Sequence, residues 1–476
     1  MAADYTLSER SSTLNGEISG YDTVNISVQG STSNGGAVLV GANKTLSITG
    51  NGQVNLTNSS TTMQGGSILV GSKASLNIHN NTGKVNISNN TAGQSGGAIG
   101  GLQATSPIAI TNNSGGVEIS GNTSEQYGGA IWSSGALRIA NNGNVSITGN
   151  ASRPSTYKTS TNSVYGGGGI YLGTQQGSFT IEGNDYVEFR GNYRAQLNTD
   201  SSLANVQLNS IFQTTTTQAN TISAKTDGKV VFYDAVSCAG NTGVSGASYE
   251  LNANYSNAAG ETVAAKGTII FSGKYAATDL QQFGSAADLT ASLTSTLMAS
   301  TTLHNGTLSI EDGAMLKTQK FTVADGSGAR LTLSNGKLDT TGYLATFGTG
   351  SEISAEGVNT ITASELSFAD NTTITLNLAG ASQDSTILTL AGDVEFGGSL
   401  TISIEGLNQV ADGTYRLLNL GDALADISKI TVVGTDASAV TWQQGILSVQ
   451  VIIPEPATTT LSLLALCSLA ARRRRK

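Results

Sequence analysis

The chain has 476 residues, of which 12% are charged and 5% aromatic, and it contains 59 glycines but only 4 prolines. This charge content is too low for a disordered acidic chain, and the aromatic content is low for an ordinary globular core. The formal net charge of -9, with no basic stripe before the last residues, argues against nucleic acid as a partner. The two cysteines, Cys238 and Cys467, give no disulfide framework.

The first residues, "MAADYTLSERSSTLNGEISG", show no positively charged segment followed by an apolar one, which is the pattern of a secretory leader. We expect an exported protein, so either a leader lies upstream of this start or the expectation of export is wrong. Residues 1–23 are predicted to form an N-terminal segment that caps the fold.

A double glycine recurs about every thirty residues in the first half of the chain. Each copy is followed directly or after one small residue by an aliphatic side chain, and the copies are Gly35–Gly36, Gly65–Gly66, Gly96–Gly97, Gly128–Gly129 and, after an insertion, Gly168–Gly169. Self-similarity at a fixed period of this length is typical of stacked repeat folds.

Two further short segments follow each double glycine. The first type reads "TLSITGN", "SLNIHNN", "PIAITNN", "ALRIANN" or "SFTIEGN", and the second reads "QVNLTNS", "KVNISNN", "GVEISGN", "NVSITGN" or "YVEFRGN". Apolar residues two positions apart point to one face of a strand, and glycine and asparagine tolerate the left-handed backbone of a tight corner. One coil cannot bury its own aliphatic side chains, so coils must stack. The prediction is an all-β, right-handed parallel β-helix over residues 24–200, with three short strands per coil of about 30 residues.

One set of corner asparagines recurs with the coils: Asn90, Asn122, Asn150 and Asn192. Several asparagines of this region stand in Asn-x-Ser/Thr triplets, so glycan attachment or ligand contact is one interpretation. The periodicity favours the other interpretation, a ladder of side-chain amides that hydrogen-bond along one corner of the helix.

The rest of the chain is less regular. Residues 201–306 are predicted as an irregular β-helix segment, in which the apolar spacing of residues 277–300 indicates a helix that leaves the stack. Turn signals then recur about every ten residues, so residues 307–452 are predicted as further coils or a sandwich-like end region. Trp442 is expected to cover the open end of the core.

The succession of GGAI-type segments and of Phe189-x-x-Asn192 with its Ile-x-x-Asn equivalents resembles the passenger domain of chlamydial polymorphic outer-membrane proteins, a branch of the autotransporters. The order of "VVFYDAVS", "GTIIFSGKY" and "LHNGTLSIEDGAMLKT" is also similar to the middle of those passengers, and the likeness spans residues 30–345. The resemblance implies a β-helical surface protein, and several such passengers are adhesins. Autotransporters also carry a C-terminal membrane barrel, for which no room follows residue 452, so we expect another route to the surface.

Residues 453–476 have three parts: the motif Pro454-Glu455-Pro456, an apolar run over 457–471, and a basic cluster of Arg472, Arg473, Arg474, Arg475 and Lys476. Together they resemble a PEP-CTERM sorting signal. The apolar run predicts a single hydrophobic C-terminal helix that spans the inner membrane, with the basic cluster as a membrane stop on the cytoplasmic side. The two prolines favour an extended, accessible backbone at the motif.

This second resemblance implies a transient partner, an exosortase, which cleaves at the motif. The mature protein would then pass from the inner membrane to the envelope, the outer surface or the extracellular matrix of a Gram-negative bacterium. The alternative is a plain tail anchor in which Pro-Glu-Pro has no function.

Acid–base hydrolysis of a glycoside needs two neighbouring carboxylates. The regular coils contain few acids, namely Glu118, Glu125, Glu182, Asp185 and Glu188. Asp185 and Glu188, with Arg190 beside them, are the best candidates, and the alternative is a charged corner that faces solvent. The histidines, His79 and His304, lie in different coils, which argues against a metal site. We therefore expect no catalytic, cofactor-binding or metal-binding residues.

The insertion at residues 151–165 interrupts the repeat, and inserted loops on repeat scaffolds often form the contact surface. Its candidate binding residues are Arg153, Tyr157, Lys158 and Tyr165. The alternative is a variable loop without a ligand.

These patterns favour an exported, exosortase-processed protein without enzyme activity, with a structural or adhesive role towards matrix exopolysaccharide, neighbouring cells or a host surface. The alternative is a carbohydrate-active β-helix enzyme, a polysaccharide lyase or glycoside hydrolase, that carries the same tail. Acidic residues clustered on one face of three successive coils would favour the enzyme, and a face of Asn, Ser and Thr would not.

Overall fold

The computed structural model describes residues 3–12, 14–153, 166–173, 176–214, 217–238, 247–274, 283, 293–421, 426–435 and 439–452. Within these ranges the chain is all-β, as predicted, and helical structure is limited to two 3₁₀ turns, Leu407–Gln409 and Ile427–Lys429. No helix in the described ranges is long and apolar enough to cross a membrane. The predicted C-terminal helix and the sorting motif, residues 453–476, lie outside the described residues.

Short strands make up the first part of the chain. They are β1 (Tyr5–Leu7), β2 (Gly16–Ser19), β3 (Thr23–Ile26), β4 (Val38–Val40), β5 (Thr45–Thr49), β6 (Gln53–Thr57), β7 (Ser60–Thr61), β8 (Ile68–Val70), β9 (Ser75–His79), β10 (Val85–Ser88), β11 (Thr91–Ala92), β12 (Ile99–Gly101), β13 (Ile108–Thr111), β14 (Val117–Ser120), β15 (Thr123–Ser124), β16 (Ile131–Ser133), β17 (Ala136–Ala140), β18 (Asn144–Thr148), β19 (Ala151–Ser152), β20 (Ile170–Leu172), β21 (Ser178–Glu182), β22 (Tyr186–Arg190) and β23 (Tyr193–Leu197).

Longer strands appear in the second part. They are β24 (Leu203–Gln213), β25 (Ala219–Ser223), β26 (Lys229–Phe232), β27 (Ala235–Cys238), β28 (Ser248–Leu251), β29 (Tyr255–Ser256), β30 (Thr262–Val263), β31 (Thr268–Ser272), β32 (Thr294–Leu303), β33 (Thr307–Glu311), β34 (Met315–Val323), β35 (Arg330–Ser334), β36 (Lys337–Phe347), β37 (Glu352–Glu356), β38 (Asn359–Phe368), β39 (Thr372–Asn377), β40 (Thr386–Phe396), β41 (Leu400–Glu405), β42 (Gly413–Asn419), β43 (Ile430–Val433), β44 (Val440–Gln443) and β45 (Ile446–Val451).

Each strand of the regular coils pairs in parallel with the equivalent strand of the next coil. Val85 of β10, for example, is opposite Val54 of β6 and Val117 of β14. One sheet has 15 strands in the order β1-β3-β6-β10-β14-β18-β22-β26-β31-β33-β35-β37-β39-β41-β43, and the other columns join in a 28-stranded sheet. Strands β1 and β2, from the predicted cap at residues 1–23, already pair with β3 and β5. This winding fits a parallel β-helix with three main strands per coil, and two-residue strands such as β7 and β11 form a fourth column.

The coil changes shape in the second half of the chain. Two columns of short strands, represented by β27 and β28, both pair with the single strand β32. From there each coil has one short and one long strand, and the long strands bend at register shifts, such as the shift between Lys317 and Phe321. The three-strand coil predicted for residues 24–200 does not extend into this half, where a bend within one long strand replaces a corner.

The helix predicted over residues 277–300 is wrong at its C-terminal end, where Thr294–Leu303 forms β32. Side chains alternate between buried and more exposed along this strand, and Leu297 and Leu303 are completely buried. A strand with period two was hidden in the sequence because serine and threonine occupy some of its inward positions. The remaining residues of this prediction, 277–282 and 284–292, lie outside the described residues.

Inward side chains form one continuous core from Ile18 to Val451. Aliphatic residues dominate it in the first coils, and each fully buried Val, Ile or Leu stabilises the fold by about 1.5–3 kcal/mol. Phenylalanines replace them further on, where Phe189, Phe232 and Phe271 stack with ring centroids 4.8 and 5.2 Å apart. Because each side chain contacts its equivalent in the next coil, the core specifies the register of the stack.

The double glycines stand where two coils approach most closely. Gly96 has a φ of 70°, in the left-handed region that favours glycine, and a Cβ on Gly97 would lie 1.9 Å from the carbonyl oxygen of Gly129. In the copy after the insertion, Ile170 pairs with Ile131 and Gly167 has the positive φ. The equivalent pair there is Gly167–Gly168, one residue earlier than the sequence alignment predicted.

The predicted asparagine ladder is confirmed. The side-chain oxygen of Asn122 accepts hydrogen bonds from the backbone N–H and the side-chain amide of Asn90, at 3.0 and 2.9 Å. Asn122 Nδ2 donates to Asn150 Oδ1 and to the Ile87 carbonyl, both at 2.9 Å, and the pattern continues to Asn192. All four asparagines are fully buried. Their role is structural, and burial excludes glycan attachment at these positions in the folded chain.

A second ladder, which the sequence analysis missed, runs along the neighbouring corner. Each member donates Nδ2 to the side-chain oxygen of the next, except for the last, whose Nδ2 donates to the Ile139 carbonyl. The members are Asn51, Asn81, Asn113, Asn142 and Asn184. The signal was present, because each of these residues ends one of the "TLSITGN"-type segments.

The first ladder ends at a buried aspartate. Asp234 Oδ2 accepts hydrogen bonds from the backbone N–H and side-chain amide of Asn192, at 2.8 and 3.0 Å, and from Ser210 Oγ at 3.4 Å. Its Oδ1 accepts from the Gly191 N–H at 2.8 Å. Burial raises the pKa of Asp234 to about 6, although these hydrogen bonds lower it.

The raised pKa of Asp234 predicts that the stability of the fold depends on pH. An acid whose pKa is raised by folding contributes stability that is fully present below its unfolded pKa, near 4, and is lost as the pH rises through about 6. Relative to Asp234→Asn, the wild-type free energy of unfolding should therefore fall by roughly 2 kcal/mol between about pH 4 and pH 6.5. Urea denaturation of both proteins across this range measures the difference, and a difference that does not change with pH would contradict the prediction.

The C-terminal region, residues 307–452, continues the parallel coils as far as β43 and then changes direction. Strand β45 pairs antiparallel with β42 and with β44. Trp442 of β44 packs against the core cluster, as expected of a residue that covers its end.

Candidate functional site

The outer face of the 15-stranded sheet is mainly neutral and polar. Its central column in the first coils is Asn25, Asn55, Asn86, Glu118, Ser146 and Glu188. The column continues through the apolar Val231 and Ile270 and then holds Ser309, Thr332, Ser354, Thr375 and Ser403. No three successive coils of this column present acidic residues, and its polar side chains form two stretches, one on each side of Val231 and Ile270.

The two acids of the column have separate partners. Lys84 forms an ion pair with Glu118, and this hydrogen bond holds the pKa of Glu118 below its ordinary value. Arg190 Nε lies 2.9 Å from Glu188 Oε1, and its guanidinium lies over the ring of Tyr233, 3.9 Å from the centroid. A general acid in glycoside hydrolysis needs a raised pKa, so Glu118 does not fit that role.

Asp185 and Glu188, the best acid pair in the sequence, belong to different surroundings. Asp185 lies at a corner, where its Oδ1 is 2.5 Å from Lys225 Nζ and its side chain is 54% exposed. Glu188 lies on the sheet face. The pKa of Tyr186 is raised to about 12, mainly because Tyr186 is partly buried and also because of the charge of Glu188. The structure thus divides the pair between a corner and a sheet.

The two histidines also have separate partners. His79, at the end of β9, has Nε2 2.9 Å from Ser47 Oγ, and His304 has Nε2 2.6 Å from Glu250 Oε2. Among the residues that the structure describes, no three His, Cys, Asp or Glu side chains are grouped closely enough to hold a metal ion.

Only the base of the candidate binding loop is described. Arg153 Nη2 donates to Thr123 Oγ1 at 2.8 Å, and the Arg153 N–H donates to the Ser124 carbonyl at 2.8 Å. Arg153 therefore attaches the start of the loop to the preceding coil. Tyr157, Lys158 and Tyr165 lie outside the described residues.

An aromatic stack beside this loop was missed by the sequence analysis. The rings of Tyr127 and Tyr171 are 4.5 Å apart, and those of Tyr171 and Phe212 are 5.5 Å apart. Trp132, Tyr171 and Phe212 occupy the same outward position in three successive coils. Tyr171 and Phe212 are only 8% and 7% exposed, so the stack mainly braces the coils on either side of the insertion.

A groove of about 420 Å³ opens at a corner of the helix, and this volume is within the range of small-molecule sites. One side consists of hairpin residues that follow β28, including Tyr255, Ala258 and Ala259. The corner side includes Ser114, Asn141, Gly143, Gly183, Asp185 and Lys225. The hydrogen bond to Asp185 raises the pKa of Lys225.

Hydrogen bonds fix the hairpin that forms one side of the groove. Strands β29 and β30 pair antiparallel, and Asn257 Oδ1 accepts from the N–H groups of Ala259 and Glu261 at 3.0 and 2.9 Å. Asn141 Nδ2 donates to the Ser256 carbonyl at 3.0 Å, which connects the hairpin to an earlier coil. The groove therefore exists before any ligand binds.

Comparison with known proteins adds no family. The sequence matches no protein-family model, and a search of curated proteins finds no relative. Neither comparison assigns an activity, a ligand or a partner to the outer face, the aromatic stack or the groove.

Proposed function

We propose that this chain is a non-enzymatic surface protein of the cell envelope, built as a right-handed parallel β-helix with a structural or adhesive role. The observation that carries the proposal is the outer column of the 15-stranded sheet, which presents mainly Asn, Ser and Thr in two stretches, from Asn25 to Ser146 and from Ser309 to Ser403. Repeated hydroxyl and amide groups suit an extended polar partner such as matrix polysaccharide or a cell surface, because each contact repeats along the axis. Isolated, ion-paired acids support binding rather than hydrolysis.

Sorting to the surface depends on the C-terminal signal. Pro454-Glu455-Pro456, the apolar run and the basic cluster from Arg472 to Lys476 support an inner-membrane precursor that an exosortase cleaves. The mature β-helix then stands in the envelope, on the outer surface or in the extracellular matrix.

One experiment tests sorting and function together. In Gram-negative cells that contain an exosortase, Pro454→Ala/Pro456→Ala should leave full-length protein in the inner membrane, because the Pro-Glu-Pro motif at which the enzyme would cleave is removed. Immunoblots of membrane fractions and retention of cells on matrix polysaccharide measure the two effects, and both surface protein and retention should fall at least tenfold.

The control for this experiment is Pro107→Ala, which changes a proline of the described coils and leaves the motif intact. Equal surface release of the double variant and the wild type would contradict the sorting proposal. Turnover of an acidic or neutral polysaccharide by the purified full-length chain would contradict the non-enzymatic role and favour the carbohydrate-active alternative.

A further inference from the structure

The hairpin groove depends on the glycine at position 183, a corner position that asparagine occupies in the three preceding coils. Asn80, Asn112 and Asn141 occupy this position with φ values of 55°, 57° and 54°, and Gly183 follows with a φ of 64°. A Cβ on Gly183 would lie 2.6 Å from a ring carbon of Tyr255. The missing side chain thus makes room for the Tyr255 ring, which is only 6% exposed.

The surfaces on the two sides of the groove differ in chemistry. The hairpin side is formed by Tyr255, Ala258 and Ala259 together with Asn257, whose side-chain amide is engaged in hydrogen bonds within the hairpin. The corner side presents the Ser114 hydroxyl and the Asp185–Lys225 ion pair, whose side chains are 54% and 47% exposed. Donors and acceptors therefore lie opposite a mainly apolar surface.

We propose that this groove binds a neutral saccharide chain, an inference that rests on the proposed contact with matrix polysaccharide and names its site. Sugar hydroxyls both donate and accept hydrogen bonds, so they match Lys225, Asp185 and Ser114, whereas the C–H face of a sugar ring matches the two alanines. The ion pair has no net charge, and the chain has a net charge of -9, so an anionic saccharide is disfavoured.

The groove binds without catalysing hydrolysis. Asp185 is the single carboxylate among the described residues that line it. Both retaining and inverting hydrolysis need a second carboxyl group across the glycosidic bond. The groove is therefore a recognition site on an otherwise repetitive surface.

Binding of defined oligosaccharides to the full-length chain tests this inference. The probes are cellohexaose and chitohexaose, with hexagalacturonate as the anionic comparison, in a detergent that carries no sugar headgroup. Isothermal titration calorimetry should detect saturable binding of a neutral hexamer. Asp185→Asn/Lys225→Gln should weaken it at least tenfold because the hydrogen-bonding pair is altered, and Ala259→Trp should abolish it by filling the groove.

The matched control is Lys317→Gln/Asp339→Asn, which alters an ion pair between β34 and β36, outside both the groove and the 15-stranded sheet, and should leave binding unchanged. Circular dichroism melting checks that all variants fold. The inference is overturned if neither neutral hexamer binds, if hexagalacturonate alone binds, or if both groove variants bind as tightly as wild type.

Retention of whole cells separates this inference from the proposed function. If the protein increases retention over cells that lack it, and the groove variants match wild type both in retention and in hexamer binding, the groove inference fails and the adhesive role stands. If the purified chain binds a neutral hexamer at the groove but cells with and without the protein are retained equally, the groove inference stands and the adhesive role fails.

Discussion

Gly97→Ala is expected to destabilise the coil stack by about 3 kcal/mol, at the upper end of overpacking effects. The new Cβ would lie 1.9 Å from the Gly129 carbonyl oxygen and 2.7 Å from the backbone nitrogen and oxygen of Thr123. These are backbone atoms, which cannot rotate away as a flexible side chain would. The next coil must move outward, which weakens the hydrogen bond from Gly97 N–H to Gly128 at 3.1 Å.

Urea denaturation together with hydrogen exchange of peptides from β12 and β16 measures this effect, because a repeat stack opens locally as well as globally. The control is Gly41→Ala, whose Cβ would have its nearest contact at 3.8 Å and whose backbone does not require glycine. Gly41→Ala should change stability by less than about 0.5 kcal/mol. A similar small change for Gly97→Ala would show that the coils tolerate a wider spacing than their backbone contacts indicate.

The regular coils were predictable because a single backbone requirement repeats along the sequence. Gly97 must lack a Cβ and Asn122 must supply an amide to both neighbours, so the same residue types return once per coil. Such requirements are local to a coil and its neighbour. They appear directly as periodicity in the amino-acid sequence.

The change to two strands per coil was not predictable in the same way. Long strands such as β34 bend at a register shift between Lys317 and Phe321, without the glycine or asparagine that marks a corner elsewhere. The bend depends on how neighbouring long strands pack, which no short segment reveals. For the same reason β32 was assigned as part of a helix, since serine and threonine occupy inward positions that a strand pattern reserves for apolar residues.

The groove could not be predicted from the sequence. Asp185 was identified, but as a partner of Glu188, its neighbour in sequence. Its actual partner is Lys225, and the groove exists only because Tyr255 packs on Gly183, far earlier in the chain. Sequence patterns predict contacts between equivalent positions of successive coils, and this hairpin makes contacts that do not follow that repeat.

Asn122→Ala should have the largest effect on stability, a loss of about 4 kcal/mol. The change removes two acceptor contacts to Asn90 and two donor contacts, to Asn150 Oδ1 and the Ile87 carbonyl. Each buried group left without a partner costs about 1–3 kcal/mol, and the site is fully buried, so water cannot replace the amide without opening the corner. Urea denaturation measures the loss, and Asn144→Ala, at an exposed asparagine, should change stability by less than about 0.5 kcal/mol.

Asn122→Asp separates the amide requirement from simple loss of volume. A carboxylate there would put an oxygen against Asn150 Oδ1 and the Ile87 carbonyl, both acceptors that Nδ2 now meets at 2.9 Å. At pH 7 the variant should therefore be less stable than Asn122→Ala, and protonation at pH 4 should restore part of the loss. Asp234 escapes this conflict because its second oxygen accepts from the Gly191 N–H, which is possible only where the ladder ends. If Asn122→Asp and Asn122→Ala were equally stable at both pH values, the ladder would contribute through packing rather than through its hydrogen bonds.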